Sequence, residues 1–195
     1  MPTTLITGRP GLKTSFIEEN IGYDGTQLAP HWIYRRFGLL GNAVVAFVGP
    51  AQVPVAHMVD QTDVRRNAPI GSPLMLHFLG EWFIDSFDFG IALQQLFLRN
   101  LFELLNRERR VVERRGSDLY QGERKLSVSI ATRSLTSVLM HTALNIDTEG
   151  TPVPTVGLRE LGLEPRRLAT DTLALFALDF ASMATARCKV SGRSL

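Results

Sequence analysis

Lys125, His141 and Asn145 are the residues whose types and spacing best suit chemistry on a small polar group. From Lys125 the sequence alternates polar and apolar, which predicts a strand. Leu126, Val128 and Ile130 would take its core face, and Lys125, Ser127 and Ser129 the other. In a second strand His141, Asn145 and Asp147 share a face by the same period of two. Two adjacent strands would then turn an ammonium, an imidazole and a carboxamide into one cleft, with Asp118 in the preceding Gly116-Ser117-Asp118-Leu119 turn. Lys125 is one of only three lysines (with Lys13 and Lys189) among 21 basic residues, in a chain whose default cation is arginine. A compact ammonium can sit between the oxygens of a carboxylate or phosphate, or change its pKa when desolvated. The plain alternative is a strand-end lysine capping a hairpin.

Other residues weigh less. His57, Asp60 and Asp63 have donor types suited to a divalent ion, but their spacing fits no metal template, and a hydrogen-bonded polar loop explains them as well. No metal is assigned. His77, between Leu76 and Phe78, reads either as a core histidine or as part of the cleft. His31, after Pro30 and before Trp32, reads as packing. Asn145 could bind a carboxylate through its amide or cap a strand turn. The arginines of Arg107–Arg110 and Arg114–Arg115 follow a predicted helix, where positive charge complements the dipole.

The stretch Gly-Ser-Asp-Leu followed by Gly122-Glu123-Arg124-Lys125-Leu126-Ser127 resembles a segment of biotin and lipoate protein ligases. There it reads Gly-x-Asn-Asp-Leu, then Gly-x-Lys-Lys-hydrophobic-Ser/Ala-Gly. The resemblance implies that Lys125 contacts the carboxyl or acyl-phosphate group under attack. His141-Thr142-Ala143-Leu144-Asn145-Ile146-Asp147-Thr148 is similar to the His-Gly-x-Ala-Leu-Asn-Val-Asn-Thr of octanoyl transferases, and Met75-Leu76-His77-Phe78-Leu79-Gly80 is a looser match to their His-x-x-Gly turn. The chain as a whole, with Pro30-His31-Trp32, Met75–Phe78, Lys125–Thr132 and Gly157-Leu158, resembles the domain-of-unknown-function family numbered 366. That resemblance implies a biotin/lipoate-ligase-like fold. Two departures stand out. Where those ligases carry a glycine-rich stretch for an acyl-adenylate, this chain has Asn67–Leu74 with Pro69 and Pro73, and proline offers no N–H to a phosphate. Where octanoyl transferases carry a cysteine, Pro154-Thr155-Val156-Gly157 puts Thr155, whose hydroxyl needs a neighbouring base to act as a nucleophile.

These residues need elements to hold them. The pattern predicts strands at Thr3–Thr7, Asn42–Val48, Gln52–Met58 (after a Gly49-Pro50 turn) and Leu74–Ile84, besides the two signature strands. Gln27–Phe37 would be a short helix or irregular, with Trp32 and Phe37 turned inward. Asp88 would cap a helix from Phe89 to Arg107, and Pro165 would open a long helix reaching Arg187. The expected fold is α+β: one domain over residues 1–195, with a central mixed, mainly antiparallel sheet and helices packed on one face.

The 195 residues are 45% hydrophobic with a net charge of +2, enough for a substantial core and too little charge to argue for nucleic acid. The single cysteine, Cys188, points to a reducing compartment, hence the cytoplasm. Met1–Lys13 has no apolar run of leader length. The longest helix-like apolar run, Thr172–Leu178, is far short of the roughly 20 residues a membrane span needs. Two function classes stay open. One is acyl transfer or carboxylate activation, with Lys125 stabilising negative charge and Thr155 beside it. The other is a non-catalytic binding protein, or other chemistry, on the same scaffold. In both, the partner is a small molecule with a carboxylate or acyl group, held by His77, Asp118, Ser127, Ser129, His141 and Asn145. No cofactor is identified, and free strand edges would allow a homodimer.

Overall fold

A computed structural model describes residues 11–107, 111–151 and 153–192. The Thr3–Thr7 strand and residues 108–110 of the arginine cluster lie outside them. A five-stranded sheet forms the centre, in the order β1 (Lys13–Ile17), β2 (Ala43–Val53), β3 (Ile70–Trp82), β8 (Val138–Asp147) and β7 (Ser127–Arg133). β1 runs parallel to β2, and the other pairs are antiparallel. A small second sheet joins β4 (Glu113–Arg115), β5 (Asp118–Gln121) and β6 (Arg124–Lys125).

The two faces of the large sheet differ. On one, Val44, Ala46, Leu76, Phe78, Trp82, Met140 and Leu144 meet the long helices α3 (Phe87–Arg107) and α4 (Pro165–Cys188) in the main core. Phe97 of α3 lies edge-on to Phe78 and to Phe176 of α4, with ring centroids 5.0 and 5.2 Å apart, a favoured aromatic geometry. The opposite face carries Val45, Phe47 and Leu79, covered at one end by the short helix α1 (Trp32–Phe37) with Trp32 and Phe37 turned inward, as expected. Its other end stays open, above Met75, Ala143 and Val128.

Several boundaries differ from the sequence reading, each for a local reason. Gly49-Pro50 does not end a strand. β2 runs through it as a bulge, and residues 21–23 lie alongside, with Ile21 N donating to Val48 O and Tyr23 N to Pro50 O. A β-carbon on Gly49 would collide with the Ile21 carbonyl, so this approach requires glycine. β3 begins at Ile70, not Leu74, and Pro73 falls where the register slips, so its missing N–H breaks no ladder bond. The predicted strand to Met58 ends at Val53 and gives way to a 3₁₀ turn, Val55–His57, then the short helix α2 (Gln61–Arg66). Ser86, not Asp88, caps α3, its hydroxyl accepting from Phe89 N at 3.1 Å. Pro165 opens α4 as expected, with the Glu164 carboxylate accepting from Arg166 N and Arg167 N. By length and composition α4 could cross a membrane, but Leu168, Ala169, Thr172, Leu173 and Phe176 are buried against the sheet and α3.

Gly90 tests how tightly α3 is seated. A methyl group there would run into the Val138 side chain on β8. Helix propensity alone favours alanine by about 1 kcal/mol, whereas overpacking costs roughly 1–3 kcal/mol. Thermal melts of Gly90→Ala should show net destabilisation; a raised melting temperature would mean that α3 has slack against β8.

Candidate functional site

The open half of the sheet forms the floor of a cleft of about 960 Å³. Lys125 reaches its wall from β6. Its main chain is held on both sides: Lys125 N donates to Pro154 O at 2.9 Å, and Lys125 O accepts from Val156 N at 3.1 Å. Next to it Leu126 is fully buried in the main core, donating its N–H to Leu119 O. Here the chain passes from the small sheet to the large one, and the passage inverts the expected alternation. Val128 and Ile130 line the cleft, while the Ser127 and Ser129 hydroxyls lie on the helix side. Ser127 Oγ accepts from Leu119 N at 2.9 Å. Ser129 borders the cleft, but its Oγ is 2.9 Å from Gln94 Nε2 of α3 and 2.8 Å from Thr142 Oγ1. The period of two holds within each strand and slips by one residue between them.

Of the other expected site residues, Asp118, Thr155, His141 and Asn145 line the cleft with Lys125. Lys125 Nζ lies 2.7 Å from Asp118 Oδ2, both about one-quarter exposed. Burial raises the Asp118 pKa most; Lys125 lowers it, and Asp63 and Asp60 push it up again. Thr155 Oγ1 is 2.7 Å from Thr151 Oγ1, and no carboxylate or imidazole touches it among the described residues. Asn145 is a brace: its Oδ1 accepts from Ser72 Oγ at 3.0 Å and its Nδ2 faces Lys125 O at 3.4 Å. Asp147 leaves the cleft and pairs with Arg159. His31 is also elsewhere, its main-chain N–H donating to both oxygens of the buried Glu81 carboxylate.

His77 stands beside His141 on the same face of the sheet, fully buried between Phe47 and Tyr23. Its Nδ1 is 3.0 Å from His141 Nε2, and its Nε2 is 3.1 Å from the Gly49 carbonyl. Tyr23 stacks on His141, with centroids 3.7 Å apart and planes 11° from parallel. Burial dominates the electrostatics. It lowers the His77 pKa to about 4, although the bond to Gly49 works against it. It holds His141 well below the usual histidine range, with His77 adding to the effect. Both rings are therefore neutral at pH 7.

Sequence reasoning did not single out Tyr23, Ser72 or Met75, which also line the cleft. Tyr23 is brought there by main-chain pairing with β2 across a long sequence separation, and no local pattern signals that. His57, Asp60 and Asp63 do reach the rim. Asp60 caps α2, accepting from Thr62 N and Asp63 N, and His57 Nδ1 bonds the Asp24 carbonyl. The described residues hold no cluster of three or more metal-ligand side chains.

The fold and site can be set beside known proteins. A family model described as a domain of unknown function (DUF366) matches residues 12–191, and the chain belongs to that family. A protein of unknown function from Pyrococcus horikoshi superposes with a TM-score of 0.90 at 35% identity, covering 94% of this chain and 100% of that one. An uncharacterized protein of Methanocaldococcus jannaschii is 28% identical over 156 residues, 76% of this chain and 70% of the relative. The fold is that of biotin and lipoate protein ligases. The Aquifex aeolicus biotin protein ligase in complex with biotin and ATP superposes with a TM-score of 0.54 at 13% identity, over 87% of this chain and 69% of that one. A putative lipoate protein ligase from T. acidophilum with bound lipoic acid gives 0.52 at 12% identity, over 85% of each chain.

The buried histidines set an acid limit. Unfolded, each would take up a proton near pH 6.5; folded, each resists. The unfolded chain thus binds more protons as pH falls from about 6.5 towards 4, and stability must fall with it. For His77 alone the loss by pH 4 is on the order of 3 kcal/mol. Urea melts at pH 7, 5.5 and 4.5 should show this decline, and a flat profile would mean that the pair is not neutral and buried.

Proposed function

We propose that the cleft binds a small molecule with an apolar body and a carboxylate or acyl carbonyl, and that Lys125 stabilises negative charge on that group during acyl transfer or carboxylate activation. The observation that carries this is the clamped Lys125 on the wall of a large cleft whose floor is Met75, Val128 and Ile130. Its ammonium is paired with Asp118, so a ligand carboxylate has to compete. The desolvated Asp118 resists ionisation, which lowers the cost of giving up the lysine. Biotin and lipoic acid, named with the similar ligases, are acids of this general shape. Asp118, His141 and Asn145 complete the proposed binding surface, His77 holds His141 from its side, Ser127 and Ser129 brace its β7 wall, and Thr155 lies beside the lysine.

A second reading is non-catalytic capture of the same kind of molecule. It is favoured by Thr155, whose hydroxyl meets only another threonine hydroxyl among the described residues, with no activating base there. In either reading the protein acts in the cytoplasm, and the free edge of β7 is where a second copy could pair.

Native mass spectrometry of protein purified from its own host should reveal a co-purified acid or acyl compound. Lys125→Ala should retain at most about a tenth of it, as loss of a charge-assisted contact predicts. Lys125→Arg should fail as well, because a planar fork does not replace a compact ammonium. Ligand retention in both variants would remove the main support for the proposal.

ATP should bind poorly. Pro73 lies within β3, and the cleft lining carries Asp24, Asp60, Asp63 and Asp118 against a single Lys or Arg side chain, Lys125, among the described residues. Isothermal titration with ATP and Mg²⁺ should give no heat at micromolar concentrations. A dissociation constant near 1 μM, about −8 kcal/mol, would overturn this.

A further inference from the structure

The hydrogen-bond chain beside the cleft has a direction. The Gly49 carbonyl can only accept, so the His77 nitrogen 3.1 Å away, Nε2, carries the proton. A neutral imidazole has one N–H, which leaves His77 Nδ1 as a bare acceptor. His141 Nε2, 3.0 Å from it, must then be the donor, and the single proton of a neutral His141 is fixed there. The remaining nitrogen, His141 Nδ1, is left with a lone pair. It has no hydrogen-bond partner among the described residues, and His141 lines the cleft. Tyr23 covers one face of the ring at 3.7 Å, so a ligand must meet this nitrogen edge-on, along its in-plane lone pair.

We propose that His141 Nδ1 is a fixed hydrogen-bond acceptor that selects ligands bearing an N–H or O–H donor at the end remote from their carboxylate. This deepens the proposed function and rests on its placing a carboxylate at Lys125. His141 and Asn145 are four residues apart on β8, roughly 13 Å of strand, and Asn145 Nδ2 faces the Lys125 carbonyl. His141 and the Lys125 main chain are thus set apart along the strand, and the proposal takes the acceptor and the ammonium as two stations, with Met75, Val128 and Ile130 among the lining residues. The selection is strong because the acceptor cannot adapt. Short of taking up a second proton, which burial opposes, turning His141 into a donor would require moving its proton to Nδ1 and breaking its bond to His77, which is fully buried. A ligand that offers only an acceptor there leaves a desolvated lone pair unsatisfied or sets two lone pairs against each other.

The test uses the monoamide of octanedioic acid and its monomethyl ester, which share one carboxylate and one chain and differ in the terminal donor. Histidine ¹⁵N spectra of the free protein at pH 7 should show the proton on Nε2 of both His77 and His141. On titration the monoamide should bind at least about tenfold more tightly than the ester and shift the His141 Nδ1 resonance. His141→Phe, which keeps a ring under Tyr23, should bring the two affinities together. A proton on His141 Nδ1 in the free protein, or equal affinities in the wild type, overturns the proposal. Lys125→Ala separates it from the reading beneath: it should weaken both probes alike and keep their ratio. Unchanged affinities with the ratio intact would remove the carboxylate role of Lys125 and leave that of His141 standing.

Discussion

The close approach at Gly49 is the constraint on which the cleft depends. Because no β-carbon stands there, the backbone at Ile21 can lie against β2, and residues 21–23 continue the parallel pairing begun by β1. That places Tyr23 over His141. The same glycine turns its carbonyl towards His77, which fixes that ring and through it His141. Burying two imidazoles is unfavourable unless each polar atom is answered. One carbonyl begins the sequence, each ring hands its acceptor to the next, and the last acceptor emerges in the cleft. A side chain at position 49 would undo the backbone contact and the hydrogen-bond chain together.

The two faces of the sheet divide the work. The helix face is sealed by aromatic packing between Phe78, Phe97, Trp82 and Phe176. It gives the strands a rigid backing, so the opposite face can stay open without the sheet losing its register. Ser129 shows the division within one edge strand, its hydroxyl bound to α3 through Gln94 while Val128 and Ile130 on either side face the cleft. Rigid backing is what a site on strands needs, because the geometry of its groups is then inherited from the sheet.

Much of this was legible in the sequence, and the failures have physical causes. The α+β class, the two signature strands, the long helices and the meeting of Lys125, Asp118, His141 and Asn145 followed from period, capping and resemblance. The inverted faces of Ser127 and Ser129 did not, because a chain that changes sheets twists at the junction and alternation counts only within one strand. The Gly49-Pro50 bulge reads as a turn for a similar reason, since the same residues serve both and only the distant Ile21 backbone decides between them. His77 could be read as core or cleft, and its place behind His141 reflects both: it is a core residue whose hydrogen bond reaches the site. Tyr23 left no local signal at all.

The scarcity of lysine in the chain acquires a physical sense in this setting. Arginine cannot be discharged, and its planar fork would hold a carboxylate such as Asp118 with two parallel bonds. A lysine holds Asp118 through one contact of 2.7 Å and can turn its three donors to another oxygen without losing its place on the wall. Around it Asp24, Asp60 and Asp63 keep the cleft negative. On the proposed function, a highly charged anion would be repelled at the mouth, whereas a ligand with one carboxylate or an uncharged carbonyl would have only the Lys125–Asp118 pair to open. In that reading, charge at the rim limits what enters, and the ammonium exchanges partners inside. A carboxylate already desolvated and partly disposed to take a proton makes that exchange less costly than leaving a fully charged acid behind.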